Sequence, residues 1–342
     1  MKILVIQIKK IGDVLTSTVI FEALKSKYPE AELHYLINKN AEAVVKNNPF
    51  IDQLILFEAN TIKNKIKFLI SNRKVKYDVI IDSYSKLITL FISLFSGAKK
   101  RITFEKKFTK YFYTHPIKRN KNSFSVATKA VEHRLILLKP LDIEFEPIKP
   151  KIYLTEIEKE TAKTELTKAN IDISKPIIMI SAIGSDDSKT YPVNYMAEVI
   201  DIIAQNREIQ ILFNYLPFQK ENAQSIYNLC KEETRQKINL EFYKTDLRAF
   251  LAITSQCCCL IGNEGGATNM AKAIDVPTFT IFSPTIPKND WNMFENETTN
   301  ISVHPDDYTE INLAKNHIEK YNMFTPNLFE EKLKKFLNFN LK

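Results

Sequence analysis

Glycine is scarce in this chain: six in 342 residues, beside 22 phenylalanines and 14 tyrosines. A residue used so sparingly marks places where the backbone must turn sharply or come close to something. Cysteine is scarce too, with Cys230 and the run Cys257-Cys258-Cys259. Adjacent strand residues point to opposite faces, which makes that run a poor disulfide pair and a poor metal cage. These cysteines read as small hydrophobes, and a reducing, cytoplasmic setting is expected. Long apolar runs are missing. The longest region, Leu87 to Ala98, lies between Lys86 and Lys99-Lys100-Arg101 and is too short to cross a bilayer; a buried helix is the first expectation there, with an interfacial helix as the alternative. The opening apolar stretch meets Lys9-Lys10 at once and is not read as a signal peptide. Neither G-x-x-x-x-G-K-[ST] nor G-x-G-x-x-G occurs, and no helix-turn-helix or RNA-recognition signature is present, so no nucleic-acid partner is expected.

What is abundant is positive charge, unevenly shared. Residues 1–150 carry 27 Lys and Arg against 14 Asp and Glu, whereas 151–342 carry 21 against 26. Between Gly97 and Lys121 stand nine basic residues and one acid, Glu105, interleaved with Phe104, Phe108, Tyr111, Phe112 and Tyr113. Such a stretch is either a solvated basic loop or a site for something anionic, a lipid headgroup included.

The length favours two domains. Short apolar runs alternate with helical periodicity: strands at 3–8, 33–37, 53–57 and 79–81, and a helix over 14–27 after the Ile11-Gly12-Asp13 turn. After a stretch punctuated by Pro147 and Pro150, a charged helix at 156–169 opens a second alternation. Its strands are expected at 176–181, 209–214, 238–242, 257–261 and 278–282. The fold class is therefore α/β, with two parallel sheets covered on both faces. Domains are expected at 1–155 and 156–325, with a final amphipathic helix within 326–342 packing back on the N-terminal domain. Ligands should sit at the carboxyl ends of the strands, in a cleft between the lobes.

Five of the six glycines fall in three loops between a strand and a helix: Gly12, Gly184, and Gly262, Gly265 and Gly266. A helix N-terminus with unpaired N–H groups suits a phosphate, and Gly265-Gly266 permits close backbone approach to one. The longest motif runs Gly262-Asn263-Glu264-Gly265-Gly266-Ala267-Thr268-Asn269-Met270-Ala271-Lys272-Ala273, then Val276-Pro277-Thr278. It resembles the C-terminal signature of the family 9 glycosyltransferases, the lipopolysaccharide heptosyltransferases. Gly262, Asn263, Gly266, Ala271, Ala273, Val276, Pro277 and Thr278 match that pattern. The opening Ile11-Gly12-Asp13-Val14-Leu15, with Tyr28-Pro29 after its helix, is similar to the same family, as is Ser185 to Pro192 with Lys189 and Tyr191-Pro192.

The resemblance implies a GT-B architecture, two Rossmann-like domains facing across a cleft. It also implies an inverting transfer of a sugar, such as heptose, from a nucleoside-diphosphate donor to an anionic glycolipid of the lipopolysaccharide core. Asp13 is implied as general base, although Asp at a helix start is equally a good N-cap. Lys189, Ser185 and the Gly184 backbone are candidates for the leaving phosphates, with Gly265, Gly266 and Ala267 at the helix start. Glu264 and Asn269 stand where the family has Asp and His, and are expected to position sugar hydroxyls or the glycine loop. Gly12, Lys99, Lys100 and Arg101 are candidate acceptor contacts. The segment Tyr215 to Glu221 has no clean equivalent of the family's ribose-binding turn.

No D-x-D pair occurs and the five histidines lack spacing such as H-x-x-x-H, so neither a metal nor a cofactor is expected beyond the sugar nucleotide itself. Peripheral contact with the inner face of the membrane, through the basic N-terminal domain, is a further expectation. Two other classes remain open: a sugar-nucleotide epimerase or phosphorylase of the same architecture, and a carbohydrate-binding relic without activity.

Overall fold

Among the described residues, 1–58, 61–205 and 208–341, the computed structural model holds two six-stranded sheets. The chain divides into Met1–Tyr153 and Leu154–Lys342. In the first unit the strands are β1 (Lys2–Gln7), β2 (Glu32–Ile37), β3 (Gln53–Leu56), β4 (Val79–Asp82), β5 (Lys100–Phe104) and β6 (His115–Ile117). Their order is β3-β2-β1-β4-β5-β6. The second unit has β7 (Ile177–Ser181), β8 (Gln210–Asn214), β9 (Ile238–Asn239), β10 (Cys259–Asn263), β11 (Thr278–Ile281) and β12 (Asn300–Val303). They lie in the order β12-β11-β10-β7-β8-β9.

Counted within its own unit, each sheet reads third, second, first, fourth, fifth, sixth, the Rossmann order, and all pairings are parallel. The innermost strands explain the burial. Ile3, Leu4, Val5 and Ile6 of β1, and Ile178 and Ile180 of β7, are wholly buried, as two-sided strands require. The order reverses between β1 and β4 in one unit and between β7 and β10 in the other. Those two switch points, at the carboxyl ends, are where such sheets receive ligands.

Several local expectations need correction. The helix expected over 14–27 is two, Ile11–Ser17 and Val19–Lys27, and it starts before Asp13. Thr16, Ser17 and Thr18 turn their hydroxyls back onto the carbonyls of Gly12, Asp13 and Leu15, which competes with the helical ladder and breaks it at Thr18. The basic stretch 97–121 is not one loop, for β5 and β6 run through it. The strand expected at 257–261 is shifted to Cys259–Asn263.

The helix over Leu87–Ser96 is only half buried: Leu90 and Ile92 face the core, while Leu87, Phe91 and Phe95 are exposed. The final helix, Glu330–Asn340, places Leu333, Phe336 and Leu337 in the second unit's own core, beside Phe279 and Phe329. Its apolar face is thus satisfied within that unit.

Candidate functional site

In the second unit, two of the sequence-marked loops meet at the β7/β10 switch point. β10 approaches β7 closely at Gly262, whose φ of +133° and proximity to the Ser181 carbonyl leave no room for a Cβ. The next residue, Asn263, is buried and locks the two strand ends together. Its Nδ2 donates to the carbonyls of Ser181 (3.0 Å) and Ala182 (2.9 Å), and its Oδ1 accepts the Tyr191 N–H at 2.7 Å. Every polar atom of this amide is therefore used to bind strand end to loop.

Gly184 turns that loop: a Cβ there would run into the carbonyl of Lys189. Its N–H donates to Thr190 Oγ1 (3.1 Å) and its carbonyl accepts from Gln219 Nε2 (3.0 Å). Across from it, the helix Gly266–Ala273 begins with no side-chain cap. A Cβ on Gly265 would meet open space, and the Thr268 hydroxyl donates back to the Asn263 carbonyl at 3.0 Å. The first amides of this helix thus stand uncapped beside a gap.

That gap is a cavity of about 230 Å³ at the carboxyl ends of β7, β8 and β10. Of the predicted donor residues, Gly184, Ser185, Glu264, Gly265, Gly266 and Ala267 line it. Lys189 and Asn269 lie outside the lining. Lys189 pairs with Asp186 at 3.7 Å and is close enough to draw the Glu264 carboxyl downward, against a larger upward push from burial. Asn269 is buried in the helix, its N–H donating to the Gly265 carbonyl at 3.2 Å.

The rest of the lining was not among the predicted site residues: Ser181 and Ile183 at the end of β7, Asn214 closing β8 with Tyr215, Leu216 and Gln219 after it, Lys244, Thr245, Leu247 and Phe250 before and on the helix Leu247–Thr254, and Met270. Asn214 ends its strand and was findable by the strand-end rule alone. The 244–250 group carries no motif. Its helix is held by Arg248, whose Nε donates to Glu158 Oε1 at 2.8 Å and Nη2 to Oε2 at 2.5 Å. Those bonds draw the Glu158 carboxyl down to about 2.

In the first unit, Asp13 is not the N-cap: that position is Lys10, which caps with no side chain. Asp13 is the third residue of its helix and is only 8% exposed. Its Oδ1 accepts from Arg134 Nη2 at 2.8 Å and its Oδ2 lies 3.2 Å from Lys9 Nζ. Arg134, on the helix Thr128–Leu135, is buried; desolvation pulls its guanidinium down and Asp13 opposes that.

More cations gather at the same carboxyl edge. Lys106 donates to the Ser85 carbonyl after β4, and Arg119, after β6, stacks 3.9 Å from the Phe104 ring centroid. Asp82 closes β4 with Oδ1 on the amides of Tyr84 and Ser85 and Oδ2 accepting from Tyr113 at 2.5 Å. Burial pushes that carboxyl up. Lys99, Lys100 and Arg101 stand elsewhere, at the amino end of β5, the opposite end of the sheet from Asp13. Arg101 is spent on the carbonyls of Ala98 and Phe112, and Lys100 on that of Pro140. Gly12 alone of the predicted acceptor residues adjoins Asp13.

Among the described residues no group of three or more His, Cys, Asp or Glu side chains gathers as a metal cage would. No helix among them is long and apolar enough to cross a membrane.

Two Rossmann sheets in tandem, with a glycine-walled cavity at one switch point, are the build of a GT-B glycosyltransferase, and solved structures agree on the fold. A family 9 glycosyltransferase from Veillonella parvula covers 99% of this chain, with 97% of its own length matched, at a TM-score of 0.81 and 18% identity. The Escherichia coli ADP-heptose LPS heptosyltransferase II covers 99% of both chains at a TM-score of 0.76 and 17% identity. In sequence, the lipopolysaccharide heptosyltransferase 1 of Campylobacter coli is 23% identical over 98% of either chain. Residues 67–320 match glycosyltransferase family 9 (heptosyltransferase), and the chain belongs to that family. It is a glycosyltransferase.

Proposed function

We propose that the protein moves heptose, with inversion and without a metal, from an ADP-linked donor to an anionic lipopolysaccharide-core acceptor. The nucleoside-diphosphate end sits in the second unit's cavity. Leu216, Leu247, Phe250 and Met270 supply apolar surface for a base, and Asn214 and Thr245 supply polar atoms for ribose or base. The diphosphate lies against the amides of Gly265, Gly266 and Ala267, where helix partial charge and fixed N–H groups stabilise it as it leaves. Lys189 adds a cation at the loop's edge. The acceptor hydroxyl gives its proton to Asp13 as its oxygen attacks the anomeric carbon and the bond to the diphosphate breaks.

The observation that carries this reading is the uncapped helix start facing a cavity between two locked loops, in a chain of this family. The acceptor assignment rests on the basic carboxyl edge around Asp13, with Lys9, Lys106, Arg119 and Arg134, and on the relatives' names. Metal independence is favoured because amides and a lysine meet the phosphate charge.

Transfer from ADP-heptose to heptose-free inner core tests the proposal. The wild type should transfer fully in EDTA. Asp13→Asn should lose about 10³-fold in rate, as removal of a positioned base does, with ADP affinity retained by calorimetry. Normal turnover by Asp13→Asn would remove it as base, and dependence on added Mg²⁺ would remove the metal-free mechanism.

A further inference from the structure

The helix Leu87–Ser96 presents apolar residues on both sides, LITLFISLFS in full. Its inner side is accounted for by the first unit's core, where Ile92 is buried beside Leu4, Ile6 and Ile80. Its outer stripe is not. Leu87, Phe91 and Phe95, four residues apart, share one face and are 68%, 48% and 52% exposed. The turn Thr109–Phe112 packs beside this helix and continues the stripe with Tyr111 and Phe112, with Phe108 just before it. On the other flank, the helix Ile62–Lys74 adds exposed Ile66 and Ile70. Isolated exposed hydrophobes need no explanation, but a contiguous band of large ones does.

Charge says what covers this band. Lys86 precedes the helix and Lys99 follows it, both exposed. Lys107 and Lys110 sit over the rings of Phe108 and Tyr111, at 5.7 Å and 5.2 Å. Lys63 and Lys67 are exposed beside Ile66. The acid among them, Glu105, is paired with Lys110 at 3.1 Å. A second copy of the same face would set lysine against lysine. An anionic bilayer surface accepts both features: aromatic and aliphatic groups enter the acyl boundary while lysine stems reach back to the phosphates.

We infer that the face formed by the helix Leu87–Ser96 and the turn Thr109–Phe112 docks this protein on an anionic lipid bilayer. The N-terminal end of that helix adjoins the Ser85 carbonyl held by Lys106, at the same sheet edge as Asp13. A lipid-anchored acceptor lying in the bilayer surface would therefore be offered to the basic edge. Docking does not depend on the transfer chemistry, and it is measured without donor or acceptor.

The test is flotation of the full-length protein with vesicles of phosphatidylcholine alone or with about 30% phosphatidylglycerol, a content that gives the negative surface the lysines need. Wild type should float with the anionic vesicles, less as NaCl is raised, and partition about tenfold less onto neutral ones. Phe91→Ser/Phe95→Ser should lose at least about tenfold in partition, and Lys107→Ser/Phe108→Ser, in the neighbouring turn, should lose comparably. Both should keep wild-type ADP affinity, which reads the second unit, and an unchanged thermal melt. No flotation of wild type on anionic vesicles, or equal flotation of both variants and wild type, overturns the proposal. So does a concentration-dependent dimer, seen by light scattering and abolished by Phe91→Ser/Phe95→Ser, in a protein that ignores vesicles.

Discussion

Arg134 Nη2 donates to Asp13 Oδ1 at 2.8 Å, with both side chains about one-tenth exposed. A carboxylate so placed is oriented as well as charged, because the guanidinium fixes one oxygen while Lys9 meets the other from the solvent side.

Arg134→Met should therefore do two things. It strands a buried carboxylate with only a half-exposed lysine, at a cost of about 3 kcal/mol in unfolding free energy. It also frees Asp13 to rotate, so the transfer rate should fall about 10²-fold, as a misplaced catalytic group does. A double-mutant cycle with Asp13→Asn, by urea unfolding and by rate, should show strong non-additivity. Simple addition of the two effects would mean the pair does not act as a unit.

Asn263 carries three hydrogen bonds in a buried site, and no other side chain of its size both donates twice and accepts there. Asn263→Asp keeps the shape but sets a carboxylate against the Ser181 and Ala182 carbonyls. It should cost about 3 kcal/mol or more, with ADP binding lost in parallel because the cavity's two walls separate. Denaturant unfolding and calorimetry on the same sample read both.

The glycines should separate by substitution. A Cβ at Gly184 collides with main chain, so Gly184→Ala should lower both melting temperature and ADP affinity. At Gly266 the nearest atom is Met270 Cε at 3.8 Å, an ordinary contact. Gly266→Ala should leave stability unchanged, or raise it by up to about 1 kcal/mol through helix propensity. It should still weaken ADP by about tenfold, if backbone approach there is what the phosphate needs. Full ADP affinity in a stable Gly266→Ala protein would count against the phosphate assignment.

Acid should unpick the second unit at a predictable place. Glu158 is drawn from an ordinary value of 4.5 to about 2, first by the Arg248 hydrogen bond. A depressed carboxylate stabilises the fold fully above its unfolded value and loses that contribution as pH falls through the folded one. The window is thus between about pH 4.5 and 2, and the contribution is roughly 2–3 kcal/mol. Glu158→Gln should be destabilised by that order at pH 7 and approach wild type near pH 2. Parallel stability curves for the two proteins across that range would show the pair to be idle.

Much of the loop geometry at the β7/β10 switch point could be read in the sequence because its signals are local. Gly184, Gly262 and Gly266 stand where a strand gives way to a helix, and that transition shows in hydrophobic periodicity. The basic charge of the first unit was less legible. Lys99, Lys100 and Arg101 drew notice by density of charge, yet density carries no direction, and their strand starts at the end of the sheet away from Asp13. β5, between β4 and β6, and the edge strand β6 were hidden too, because their lysines, arginine and histidine interrupt the continuous apolar run that marks an inner parallel strand.

The α/β alternation, most of the inner strands and the glycine turns were settled by the amino-acid sequence alone, since each follows from periodicity or from backbone freedom within a few residues; β5, β6 and β12 were not. Only the tertiary structure decided that Arg134, 121 positions away, meets Asp13. It also decided that the 244–250 segment walls the cavity at the β7/β10 switch point, and that Phe91 and Phe95 face outward. Those facts depend on which faces of the elements stack together. Burial energy fixes that stacking over the whole unit, and no short window of sequence contains it.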